Sequence, residues 1–129
     1  AYQDYTIRAQ VTEGLALASD LKAGVGEFYA NEGDWPEDIA ALGITEVKSG
    51  KYVTDVSIDE GTIVVTYGDQ ANSNIENATL SLKPVLSANL DVIWLCGLRS
   101  APEDVTDSSG DANTTLENKY LPNNCRDDS

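Results

Sequence analysis

A chain of 129 residues with 41% hydrophobic content fits one domain around one core. Its 22 acidic against 8 basic residues, a formal net charge of −14, argue against a general nucleic-acid-binding surface and against binding to anionic membranes, since both depend on clustered Lys and Arg. No apolar run long enough to span a bilayer is present, and the opening AYQDYTIRAQ lacks the basic and apolar regions of a signal peptide.

The periodicity predicts one amphipathic helix over residues 1–30. Ile7, Val11, Leu15, Ala18, Leu21, Val25, Phe28 and Tyr29 fall on one stripe at helical spacing. Glu13, Asp20 and Glu27 lie nearly opposite and read as a solvated face, and Tyr2 and Tyr5 also point away from the stripe. Gly14, Gly24 and Gly26 each cost up to about 1 kcal/mol relative to alanine inside a helix. No capping residue precedes the pattern, which therefore reads as the remainder of a longer helix.

Gly33 and Pro36 in NEGDWPED end the helix. Residues 31–50 read as a loop with a short helical turn near Asp38–Leu42. From Lys51 the period changes to two. Residues 51–58 and 62–67 form a hairpin around Glu60-Gly61, followed by strands over 78–86 and 90–97. Pro84 suggests that the third strand lies at a sheet edge or stops pairing near its end. The expected fold is α+β: one long helix packed across a four-stranded, mostly antiparallel sheet, in a single globular domain over 1–129.

Little in the chain points to catalysis. There is no histidine, which removes the usual general base and the Ser-His-Asp or Cys-His arrangements. The expectation is no enzyme, no catalytic residues, no cofactor and no metal. Asp107, Ser109, Asp111 and Asn113 follow the 1, 3, 5, 7 rhythm of a calcium loop. Ala112 stands where such a loop needs glycine, however, and Asn118 where it needs glutamate. Asn77-Ala78-Thr79 and Asn113-Thr114-Thr115 match the N-glycosylation acceptor pattern, a three-residue match to which no role is assigned. Cys96 and Cys125 are the only cysteines. They could be buried thiols or a bridge, and a bridge would pin the polar residues 97–124 back onto the last strand, stabilising the fold by roughly 3 to 4 kcal/mol for a ring of about 30 residues. Leu98, Val105, Leu116, Tyr120 and Leu121 are the larger apolar groups of this segment.

The opening AYQDYTIRAQVTEGLALAS, the Trp35-Pro36 pair after the helix and the closing KYLPNNC resemble a major type IV pilin of the IVa class. The resemblance implies the type IV pilin fold with a C-terminal disulfide-bounded loop, closed by Cys96 and Cys125. It implies that an apolar N-terminal helix half precedes this segment, which accounts for the uncapped start, and that this half is the only contact with the membrane. Further implications are a methylated mature N-terminus, helical homopolymerisation with other pilin subunits, handling by a pilus assembly machinery, and residence in the inner membrane before display on the cell surface. The filament would serve adhesion, twitching motility, biofilm formation and, in some members, DNA uptake. Lys119, Tyr120, Leu121, Pro122, Asn123 and Asn124 match the segment that contacts host-surface glycans in some members, and Ser129 is the candidate O-glycosylation position. The other reading within the same resemblance is a minor pilin or a type II secretion pseudopilin.

Overall fold

The computed structural model describes residues 2–46 and 49–127. A helical rod lies across one face of a four-stranded antiparallel sheet of order β1-β2-β3-β4, the α+β arrangement the periodicities predict.

The rod is two helices, not one: α1 (Tyr2–Ser19) and α2 (Lys22–Glu32). At the step between them the Leu21 N–H bonds to the Ala18 carbonyl at 3.0 Å, three residues back instead of four. This tightened turn keeps the buried stripe in phase: Ile7, Val11, Gly14, Ala18, Leu21 and Val25 are all buried. Gly33, at φ +76°, closes α2 by donating to the Tyr29 carbonyl. Asp38 caps the short turn Ile39–Leu42 through its carboxylate, where the sequence places one.

The strands are β1 (Val53–Asp59), β2 (Thr62–Tyr67), β3 (Thr79–Leu86) and β4 (Val92–Cys96). β2 has the expected bounds, β1 and β3 are one residue shorter than the alternation suggests, and β4 is three residues shorter. Glu60 and Gly61 both take positive φ at the β1–β2 turn, the geometry of a two-residue type I′ hairpin. Ile63, Val65 and Tyr67 of β2 and Leu80 and Leu82 of β3 are at most 1% exposed and form the core with the rod's buried stripe.

Pro84 does not mark an edge. β3 is central, pairing with β2 over 79–82 and with β4 over 82–86. The proline is tolerated because β2 pairing has ended at Leu82. The β2-side flank from there on is taken by the C-terminal loop, with Leu86 and Thr106 exchanging backbone hydrogen bonds of 2.9 and 2.8 Å. The other sequence signal, pairing that stops near the strand's end, is correct for that flank only.

Glu13 also departs from expectation. It is not on a solvated face: its two carboxylate oxygens accept the backbone N–H groups of Lys51 and Tyr52, both at 2.9 Å. A carboxylate receiving two amides in this way fastens α1 to the approach to β1. Helical phase could not show this, because the donors come from a distant loop.

Candidate functional site

The site builds outward from one covalent bond. Cys96, closing β4, is bonded to Cys125, with Cα atoms 4.6 Å apart. The loop between them runs along both flanks of β3. On one flank Thr106 pairs with Leu86, as described. On the other, the Thr115 N–H bonds to the Thr79 carbonyl and the Ser81 N–H to the Thr114 hydroxyl, at 2.9 and 3.0 Å. The loop thus satisfies strand groups that β2 and β4 do not reach.

Between these anchors lies Lys83, a buried lysine on β3. Its ammonium donates to the Ser109 carbonyl and hydroxyl and to the Gly110 carbonyl, and it pairs with Asp107 at 2.8 Å. The Ser109 hydroxyl in turn donates to the Pro84 carbonyl at 2.7 Å. Two of the four residues of the calcium-like rhythm, Asp107 and Ser109, therefore hold a cation that the protein itself supplies. Among the described residues no group of three His, Cys, Asp or Glu side chains converges as a metal site. Gly110 is needed here because a Cβ would collide with the Asp59 carbonyl, and its N–H bonds to the Glu60 carbonyl at 2.9 Å.

Trp35 ties the far end of the rod to the same loop. Its ring stacks on Tyr29 with centroids 4.2 Å apart, and its indole N–H donates to the Ser108 hydroxyl at 3.0 Å. The two glycosylation-like tripeptides meet as well. The Thr79 hydroxyl bonds to the Asn113 carbonyl and lies 3.3 Å from the Thr115 hydroxyl, so these groups dock the loop.

The closing segment is more core-like than its composition suggests. Leu116, Tyr120, Leu121 and Cys125 are at most 3% exposed. Of the six residues proposed for receptor contact, Tyr120 and Leu121 therefore point inward and Pro122 is half-buried. Lys119, Asn123 and Asn124 have exposed side chains. Tyr120, Glu117 and Asp4 raise the Lys119 pKa above the usual lysine value, keeping it a cation.

All three arginines of the chain donate to alternate carbonyls of this one segment. Arg8 reaches Lys119 at 2.7 Å, Arg126 reaches Leu121 at 2.8 Å and Arg99 reaches Asn123 at 2.8 Å. The three carbonyls are thus engaged within the chain. Arg8 and Arg126 also line a groove of about 600 Å³ between α1 and the segment, with Tyr5, Pro122 and Asn123. A second cavity of about 400 Å³ adjoins it, lined by Arg8, Lys119 and Arg126 with Asn118. No signal of period or motif links Arg8, Arg99 and Arg126, so sequence reasoning missed them. Lys83 was missed for the same reason.

Comparison with known proteins decides the family. Residues 7–126 match the pilin family of bacterial filament proteins. The chain is 38% identical over 134 residues to the type IV major pilin protein PilE1 of Neisseria gonorrhoeae, covering 98% of this chain and 74% of that protein. The chain is a type IV pilin. A fimbrial protein of Neisseria meningitidis serogroup B is 37% identical over 140 residues, spanning 98% of this pilin and 80% of the relative. The fimbrial protein EcpC of Eikenella corrodens is 34% identical over 131 residues, with 98% and 74% covered.

In this pilin the disulfide, the Lys83 clamp and the three arginines hold one continuous surface from the loop to the N-terminal part of α1. No helix among the described residues is long and apolar enough to cross a membrane. Ser129 lies outside the described residues.

Proposed function

We propose that this pilin is the major subunit of a type IVa pilus, polymerising helically with other copies of itself into a cell-surface filament after an inner-membrane stage and with the help of an assembly machinery. The observation that carries this is the 38% identity, over 98% of the chain, to a protein named a type IV major pilin. The role is structural, not enzymatic. The filament would support adhesion, twitching motility and biofilm formation, and DNA uptake is a further activity to test.

Residues 1–129 act as one folding domain in this reading, because the loop that follows β4 returns to bury Leu116, Tyr120 and Leu121 in the same core as the rod. Contact with host-surface glycans falls to Lys119, Asn123 and Asn124, whose side chains are exposed. Tyr120, Leu121 and Pro122 position them. Ser129 is the proposed O-glycosylation position.

The test is to shear filaments from producing cells and measure the intact mass and abundance of this protein in them. The expected result is the dominant filament protein, lighter by two hydrogens than its reduced form and heavier by a sugar if Ser129 is modified. Finding it only in traces overturns the major-subunit reading in favour of a minor pilin or a secretion pseudopilin. Loss of surface spreading, attachment or DNA uptake on deleting the gene assigns those activities.

A further inference from the structure

The rod carries opposite charge linings at its two ends. Near its start, the two adjoining cavities that share Arg8 and Arg126 include Lys119 and have no carboxylate in their linings. Both guanidiniums are already oriented by the carbonyls they donate to, so their remaining N–H groups need little ordering to receive an oxygen acceptor. Beyond the far end of the rod, a cavity of about 450 Å³ is lined by Glu32, Asp34, Glu37 and Glu60, with Phe28 and Trp35 beside them and no lysine or arginine. All four acids are exposed. Glu32 is separated from Arg8 by roughly 35 Å along the rod, at the helical rise of 1.5 Å per residue.

We propose that the occupant of the Arg8–Arg126 groove is the acidic end of a second copy of this pilin, which places Glu32, Asp34 and Glu37 of one subunit against Arg8, Lys119 and Arg126 of the next. Charge complementarity selects this occupant. In a chain of net charge −14, this groove presents Arg8 and Arg126, with Lys119 shared with Glu117 at 3.8 Å, so another copy's carboxylates meet attraction here in place of repulsion. The apolar parts of the two linings, exposed Tyr5 and half-buried Pro122 on one side and half-buried Phe28 on the other, add contact area to the charges. Because the two surfaces differ and lie at opposite ends, the contact is heterologous and propagates instead of closing into a dimer. The proposal rests on this pilin assembling into filaments and names the faces that meet.

The test uses the full-length protein in cells that make filaments. Asn123→Cys and Glu32→Cys place one thiol at each end, and a short bismaleimide links neighbouring thiols without touching the Cys96–Cys125 bond. The expected result is a ladder of covalent oligomers from the double variant and monomers from either single variant. In parallel, Glu32→Lys/Asp34→Lys/Glu37→Lys, which alters exposed side chains only, is expected to lower filament yield about tenfold at low salt, as reversed rim charges do at interfaces. Either of two results overturns the head-to-tail contact while leaving the filament reading intact: cross-linking of a single variant, or filaments from the double variant that give no ladder. Unchanged yield from the charge variant also overturns it. Cells carrying the unsubstituted protein and showing no filament overturn the filament reading instead.

Discussion

The Tyr67 hydroxyl donates a 2.7 Å hydrogen bond to the Val11 carbonyl, through the space that Gly14 leaves open on the face of α1. A Cβ at Gly14 would meet that hydroxyl and come within 2.7 Å of a Tyr67 ring carbon. The glycine that weakens the helix locally is what lets the rod sit down on the sheet.

Gly14→Ala should therefore destabilise the protein, although alanine favours a helix by about 1 kcal/mol. Overpacking at a buried contact of this kind costs about 1 to 3 kcal/mol, so the expected outcome is a lower unfolding temperature. Gly26→Ala, where a Cβ meets nothing within 4 Å, should raise it. An equal rise for both substitutions would refute the contact.

Burial, and then the neighbouring Glu13 carboxylate, push the Tyr67 pKa well above its ordinary value of 10.0. The folded-state value is raised, so the stability this creates is fully present below the unfolded pKa and is lost as pH rises past it. Above about pH 10 the unfolded chain releases a proton that the folded chain keeps, and stability should fall by about 1.4 kcal/mol per pH unit from this group. Denaturant titrations at pH 9 to 11 should show a steeper alkaline decline for the wild type than for Tyr67→Phe.

Lys83→Met should release the middle of the C-terminal loop. The substitution leaves the Ser109 and Gly110 oxygens and Asp107 without their ammonium. Losing hydrogen bonds to a charged group costs about 1.5 to 3 kcal/mol. Amide hydrogen exchange at Thr106 and Gly110 should accelerate while that of β2 follows only the global loss. Uniform acceleration everywhere would place Lys83 outside any local clamp.

The disulfide and the buried side chains should contribute on the same scale. Cys96→Ser/Cys125→Ser is expected to cost about 3 to 4 kcal/mol by the loop-entropy model. Leu121→Ala, at a residue with 0% exposure, should cost about 2 to 5 kcal/mol. Urea unfolding curves measure both. A negligible effect of Leu121→Ala would mean that its burial adds nothing to the mooring by the disulfide, the arginines and Tyr120.

Much of this architecture was legible in the chain because it depends on period. Ile7, Val11, Ala18, Leu21 and Val25 repeat at helical spacing, and Ile63, Val65 and Tyr67 alternate, so the rod, the strands and the buried faces of the rod and β2 follow from local pattern, whereas β3 is buried on both faces. The Glu60-Gly61 turn was legible from residue type. The break at Asp20–Leu21 was not, since the apolar stripe continues through it unbroken. Pro84 misled because a missing N–H was read as a property of the strand, when it belongs to one flank of it.

What the sequence by itself determined is therefore the rod and the four strands, the buried stripe of the rod, and the resemblance to pilins, which in turn implied the cysteine bridge. Tertiary structure alone decided where the polar side chains went. Glu13, Lys83, Arg8 and Arg99 each bind a backbone group or side chain far away in sequence, and Arg126 reaches back five residues to the Leu121 carbonyl. Apolar burial leaves a periodic trace because every turn of a helix faces the same core. A single charged side chain reaching one distant carbonyl or amide leaves none, so the clamp on the loop and the cationic groove emerge only when the chain is folded.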